Sequence, residues 1–352
     1  MELIFYNSSH HLKSLFSENE NENENDIPVS SLKILGQPLI IRNISIASKV
    51  MDIDVIKIPK ELSSILKLVQ NSFPSICIQG YNSSQYDDDD NNNNQYHRID
   101  NKKSSSIKIP INSIIYYKAY KDRSHSSANN SGNITSTGGG SVGNDDISSS
   151  IATEPIIYPW DFLNAVEKVL NTEIMQTIIS PSASIAKSSI IEGPCIIEDN
   201  VTIDDFCKIK GPVYIGKNSY IGTSSLVRDC MIGDNTILGF SCEIRRSYLA
   251  GHDEIAHLNL IGDSVIGENV WVGGYSGIAD VLLTKQNITC ETDDGKSVDL
   301  GTHRFGAVIG NNCTIGTFVM ILPGRCIPAN TMIQFLGKTY QITGNVNRIP
   351  KH

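Results

Sequence analysis

An isoleucine, or a residue close to it in shape, stands at every sixth position through much of the second half of this chain. The series runs Ile179, Ile185, Ile191, Ile197, Ile203, Ile209, Ile215, Ile221 and Val227. It slips by one residue to Ile232, Leu238 and Ile244, then returns at Ile266, Val272 and Ile278. A last stretch runs through Ile309, Ile315, Ile321, Ile327 and Ile333. Six residues of α-helix rotate a side chain through about 600°, scattering successive members over several sides. In an extended strand six is an even number, so every member points the same way. The period therefore demands strand, with a corner in each repeat. Gly216-Lys217-Asn218, Gly233-Asp234-Asn235, Gly267-Glu268-Asn269 and Gly310-Asn311-Asn312 supply such corners, because Gly and Asn tolerate positive φ.

Four residues after each periodic position stands a compact side chain, among them Ala183, Cys195, Cys207, Ser219, Ser225, Cys242, Val265, Ser276 and Cys313. Tyr248 and Arg325 break this rule. Large and compact residues in alternation let short strands stack as coils around a narrow interior. One coil cannot bury its own face, so many must stack. The expectation for residues 175–352 is a parallel β-helix. His252–Leu260 and Asp280–Phe305 read as interruptions in it, and these breaks carry the candidate chemistry.

The net charge of −9 and a pI near 5.4 argue against nucleic acid or an anionic membrane as main partner. Four of the eight cysteines, Cys195, Cys207, Cys242 and Cys313, fall at compact positions and read as buried free thiols. Cys77, Cys230, Cys290 and Cys326 show no CxxC spacing, so neither a metal site nor a disulfide framework is expected. The N-terminus lacks a basic region followed by a long apolar core, and no apolar run reaches membrane-spanning length. A cytoplasmic location is the expectation.

The first half alternates strand and helix, as in an open α/β sheet. Leu3–Tyr6, Leu32–Leu35, Val55–Ile58 and Ile76–Ile78 read as strands, Ile40–Lys49 and Glu61–Ser72 as helices. Ile107–Tyr120 supplies one or two further strands. The α/β domain is expected over 1–123, with low-complexity insertions at 17–26 and 82–106, and a low-complexity linker over 124–154. A connecting helix over 155–174 contains the apolar run Phe162–Leu170.

Four stretches carry a family resemblance. They are Lys33-Ile34-Leu35-Gly36-Gln37-Pro38-Leu39-Ile40, Pro159-Trp160-Asp161-Phe162-Leu163, the segment Ala256–Val270, and Gly295-Lys296 through Gly306–Gly310. With the hexad period, they resemble the bifunctional sugar-1-phosphate nucleotidylyltransferase and amino-sugar-phosphate acetyltransferase family, in its archaeal-like form. The resemblance implies a Rossmann-like nucleotidylyltransferase-type domain followed by a left-handed parallel β-helix that uses acetyl-CoA. The first half departs from the family. Leu3–Tyr6 is followed by Asn7-Ser8-Ser9-His10-His11, with no glycine before Gly36. Backbone amides therefore lack the Gly-rich loop that cradles nucleotide phosphates. A reduced domain without uridylyl transfer is expected.

In the second half the resemblance places His257 as the general base, an imidazole being suited to proton transfer near neutral pH. It implies Asp280, Lys296 and Arg304 as residues meeting an amino-sugar phosphate, and Gly274, Thr317 and Arg325 as residues meeting acetyl-CoA. His252 is a weaker alternative base. Leu260 stands where the family has tyrosine, and Trp271 where it has an asparagine that meets the sugar. The Gly273-Gly274-Tyr275-Ser276 run also departs from the family pattern. Two functions compete: an acetyl-CoA-dependent N-acetyltransferase on the route to UDP-N-acetylglucosamine, and a non-catalytic regulatory or scaffold protein related to pyrophosphorylase subunits. A homotrimer is expected, because such β-helices place the acyl site between chains.

Overall fold

Short strands form around the periodic isoleucines, and a tight corner follows each one. The computed structural model describes residues 2–6, 33–34, 37–38, 42–45, 53–59, 63–81, 106–110, 113–117, 151–156, 158–292, 295–336 and 340–343. Among these, three sheets make a three-sided solenoid. The first face holds eight strands, from Ile178–Ile179 to Arg325–Ile327. The second holds nine, from Ser184–Ile185 to Tyr340–Thr343, and the third seven, from Ile190–Glu192 to Met320–Ile321. Coil pairs with coil in parallel and in register, and the last strand, Tyr340–Thr343, folds back antiparallel on Met332–Phe335. Ile191 thus lies in line with Ile209, Val227, Ile244, Ile261, Ile278 and Ile321. These ladders fill one continuous core, which supplies most of the driving force for folding.

One expectation fails here. The solenoid does not break at His252–Leu260: Leu249, Ile255 and Ile261 continue the three ladders and are fully buried. The slip after Val227 recurs at the same corner in three coils, so Val227 to Ile232, Ile244 to Leu249 and Ile261 to Ile266 are each five residues. The tightened corners turn on Asp229, Arg246 and Asp263, with φ of 54°, 40° and 49°. The shift also explains Tyr248. The compact inward residues of these corners are Cys230, Ser247 and Ser264, all buried. Tyr248 and Val265 face outward and are covered from outside. Arg325, the other exception, is half-buried on the first face beside Ala307.

Compact polar residues tie the coils together. Ser219, Ser225, Ser247, Asn259 and Ser276 each accept the backbone N–H of the equivalent residue one coil on. Asp253 does the same for Val270 at 2.8 Å and also accepts from Gly251 N–H at 3.1 Å. Its side chain is inside the solenoid, and burial pushes its carboxyl well above the usual carboxylate range. The folded chain therefore keeps a proton that the unfolded chain has released. Stability from this group is full below the ordinary value near 3.8 and is lost as pH rises through the raised folded value. Serine serves this position two coils earlier, at Ser219. Asp253→Ser is expected to raise the thermal midpoint at pH 8 by about 2–4 °C, and to change it less at pH 4.5. Equal shifts at both pH values in a melting series would contradict this.

An asparagine ladder runs along the corner between first and second faces. Asn200 Nδ2 donates to Asn218 Oδ1 at 3.1 Å, Asn218 to Asn235 at 3.1 Å, Asn269 to Asn312 at 2.8 Å and Asn312 to Asn330 at 3.3 Å. His252 takes one rung, with Nε2 3.3 Å from Asn235 Nδ2. All of these residues have positive φ, the backbone state that favours Asn among non-glycine residues.

The chain covers its own first face beyond the first strand, Ile178–Ile179, which stays exposed. Helix α1, Asp161–Glu173, begins where Asp161 accepts Tyr158 N–H at 2.8 Å. Its apolar side, including Phe162, Val166 and Val169, packs with Tyr214, Met231 and Tyr248. Phe162 meets Tyr248 edge-on at 4.8 Å. The segment between Ile278 and Ala307 continues this cover. Its hairpin, Thr289–Glu291 with Ser297–Asp299, buries Ile288 and Cys290, and with Phe305 they join the cluster that holds Val265, Val308 and Cys326. The second and third faces keep exposed apolar side chains, including Tyr220, Ile237, Trp271 and Met332 on the second and Ile190 and Met320 on the third.

In the first half, four parallel strands stand in the order Cys77–Tyr81, Val55–Pro59, Glu2–Tyr6, Ser106–Pro110. This 3-2-1-4 order is that of a Rossmann-type sheet. Helix Ser63–Ser72 follows the expected segment. Lys33–Ile34 pairs with Gln37–Pro38, and of Ile40–Lys49 only 42–45 is described, as helix. Ser113–Tyr117 pairs with Ile151–Pro155, so the end of the expected linker is strand. The insertion at 17–26, most of 82–106 and the linker over 124–150 lie outside the described residues.

Candidate functional site

The corner between second and third faces gathers the best candidates. His257, Gly274 and Thr317 occupy equivalent positions in three successive coils, with Phe240 in the coil before them. The register is fixed by Tyr275 N–H donating to His257 O at 3.1 Å and Phe318 N–H to Gly274 O at 3.2 Å. The His257 side chain is exposed. Its ring stacks on Phe240 with centroids 4.5 Å apart and planes at 24°. A methyl group on Gly239 would stand 2.6 Å from His257 Nδ1 and 2.8 Å from its backbone N. Glycine at 239 is therefore what lets the imidazole lie against the coil before it.

Gly274 leaves a notch in this column. A side-chain carbon there would meet only His257 O, at 3.5 Å, so the space between His257 and Thr317 is open outward. An elongated thioester could lie along it, and these residues fit that use. Tyr275 and Phe318 stack at 5.3 Å and wall one side, both exposed. Trp271 is 37% exposed on the second face, in line with Glu254 and Thr314. Leu260 is half-buried on the outer side of the third face.

Asp280 and Arg304 meet each other but not this column. Asp280 is buried and accepts from Arg304 Nη1 at 3.0 Å and from Arg245 Nη2. Arg245 also lies 3.4 Å from Asp263, which accepts from Arg246 at 2.9 Å, while Arg246 pairs with Glu167 of α1 at 2.8 Å. This network stands at the far edge of the third face from His257. The three-residue strand Leu260–Gly262 runs from the His257 corner to this edge, spanning about 10 Å at 3.3 Å per residue. Lys296 lies at the hairpin turn, where its backbone bonds Thr292. Arg325 lies on the first face, within electrostatic reach of Cys290. One copy of the chain thus brings three of the seven candidates together, pairs two more, and holds Lys296 and Arg325 elsewhere. His252 has a structural post in the asparagine ladder. Among the described residues, no group of three or more His, Cys, Asp or Glu could hold a metal ion, and no helix is long and apolar enough to cross a membrane.

Sequence reasoning missed Phe240 and Asn259. Phe240 precedes His257 by one coil of 17 residues, a spacing readable only once the shortened corner is known. Asn259 sits at the compact position of its coil, where an amide is the visible departure from Cys242 and Ser276.

Comparison with known proteins agrees with this architecture. The family model for the GMPPB C-terminal domain matches residues 173–272. The bifunctional protein GlmU of Methanococcus aeolicus is 32% identical over 177 residues, 50% of this chain and 41% of that one. The chain thus spans less than half of that relative's length. The protein named uncharacterized acetyltransferase YaiX, from Escherichia coli, is 32% identical over 173 residues, 49% of this chain and 70% of that one. The chain belongs to the hexapeptide-repeat acyltransferases. Its solenoid is the left-handed β-helix of that family, and among the described residues strand triples repeat through seven full coils. Among solved structures, LpxA from Acinetobacter baumannii is 23% identical over 49% of this chain and 74% of its own, with a TM-score of 0.24.

Proposed function

We propose that this protein is an acetyl-CoA-dependent N-acetyltransferase acting on an amino-sugar phosphate such as glucosamine-1-phosphate, in the cytoplasm, without uridylyl transfer. The observation that carries the reading is the shared corner of His257, Gly274 and Thr317. The acceptor nitrogen attacks the thioester carbonyl, the His257 imidazole takes its proton, and the CoA thiolate leaves. Gly274 gives the thioester room, and Thr317 stands at the upper end of the notch. Arg304 supplies a half-exposed guanidinium for phosphate, held by Asp280. It stands at the edge of the third face away from the His257 corner, and a neighbouring copy can present that edge. The likeness to GlmU proteins supports the substrate class.

The open apolar side chains on second and third faces, with the first face covered by α1 and the hairpin, support a homotrimer with parallel axes. Light scattering should give three times the chain mass, and a monomer mass would sink the shared-site arrangement. The function is tested by acetyl-CoA turnover with glucosamine-1-phosphate and related amines, wild type against His257→Ala. Turnover lost in the variant supports the proposal. A second reading, a non-catalytic interaction protein, is favoured by exposed Trp271 and by Leu260. Absence of both turnover and CoA binding in wild type would establish that reading instead.

A further inference from the structure

The side chain of Asn259 is only 3% exposed, yet it carries an amide into the solenoid interior. The same position in other coils holds Cys207, Ser225, Cys242 and Ser276. Those residues reach forward to a carbonyl of the next coil: Ser225 to Gly239 at 3.0 Å, Cys242 to Ala256 at 3.0 Å, Ser276 to Gly316 at 2.8 Å. Asn259 makes that bond too, to Gly273 O at 3.1 Å, and its Oδ1 accepts Ser276 N–H at 3.1 Å. Beyond these, the second proton of its Nδ2 turns back to its own corner, to Ala256 O at 2.8 Å with His257 O sharing it at 3.3 Å. A serine hydroxyl has a single proton and cannot serve both directions. The amide appears in the coil that carries His257.

We infer that Asn259 is a positioning residue for His257, fixing the corner peptide from which the imidazole projects. The inference rests on His257 as the base. His257 O accepts from Asn259 Nδ2 and from Tyr275 N–H, so its peptide is held both from its own coil and from the next. Phe240 then limits the ring itself. A base must stay within a fraction of an ångström of its productive place, and a displacement of about 1 Å costs up to about 100-fold.

Asn259→Ser keeps the acceptor and the forward bond that neighbouring coils use, but drops the backward bonds. Its kcat for acetyl transfer is expected to fall about ten-fold, with KM for acetyl-CoA within about two-fold and a thermal midpoint within about 4 °C. Asn259→Val, the residue type that Val319 places at the equivalent position, repeats the test should serine fold poorly. The decisive readout is the same substitution in a His257→Ala background, where no further loss is expected because the positioned group is gone. A kcat within two-fold of wild type, or an equal loss with and without His257, would overturn the inference. Wild type with no turnover at all would fail the function itself, and is distinguishable from either result.

Discussion

Acetyl transfer should fall by about 10²–10⁴-fold when His257 becomes alanine, with the thermal midpoint within about 2 °C of wild type. The first figure is the usual share of a general base in a group-transfer rate. The second follows from position. The imidazole is exposed, and the described contact of its ring is the stack on Phe240, so truncation opens no cavity. The loss should appear in kcat more than in KM for acetyl-CoA, because the base acts when the amine proton leaves. His252→Ala is the control. Its ring serves the asparagine ladder on another corner, and the variant should keep most of its activity. A loss of less than about ten-fold in His257→Ala would place the base elsewhere.

Ile261→Ala should cost about 2–5 kcal/mol and lower the thermal midpoint by about 5–15 °C. Ile261 is fully buried between Ile244 and Ile278 on the inner side of the third face. Removing most of its side chain leaves a void that stacked strands cannot close, because their spacing is set by backbone hydrogen bonds. The measurement also distinguishes two pictures of this segment. Were residues 252–260 a loop that interrupts the stack, Ile261 would begin a new coil at a frayed edge and its truncation would cost under about 1 kcal/mol. Leu258→Ala, at an exposed corner of the same coil, should change the midpoint little.

The six-residue ladder made the solenoid legible because burial on three faces imposes a strict spacing of large side chains. The ladder also misled at one place. A corner shortened by one residue in three successive coils turns six into five, and Leu249, Ile255 and Ile261 fell out of a fixed count. Tyr248 then looked like an outlier, although its place under Phe162 follows from the shorter corner. In the site, His257, Gly274 and Thr317 were nameable from local sequence, but their shared column was not. It depends on the 17-residue coil and on a long excursion after Ile278 that returns in register. Arg304 was named for phosphate and Asp280 as a substrate residue, and the sequence could not reveal that Arg245 would hold the same carboxylate. Contacts of that kind reach across coils, 35 residues and two coils apart for Arg245 and Asp280.

The excursion after Ile278 bears on how such a chain can change. Equivalent residues on either side of it are 43 apart, as in Glu268 and Asn311, yet the strands meet in the same register as elsewhere, Ile266 beside Ile309 and Val272 beside Ile315. Closing a longer loop costs only about 0.6 kcal/mol per doubling of length. The corners of this solenoid are therefore graft sites. New segments can be acquired at one corner without retuning the coils above and below, and without moving the His257 column at another corner.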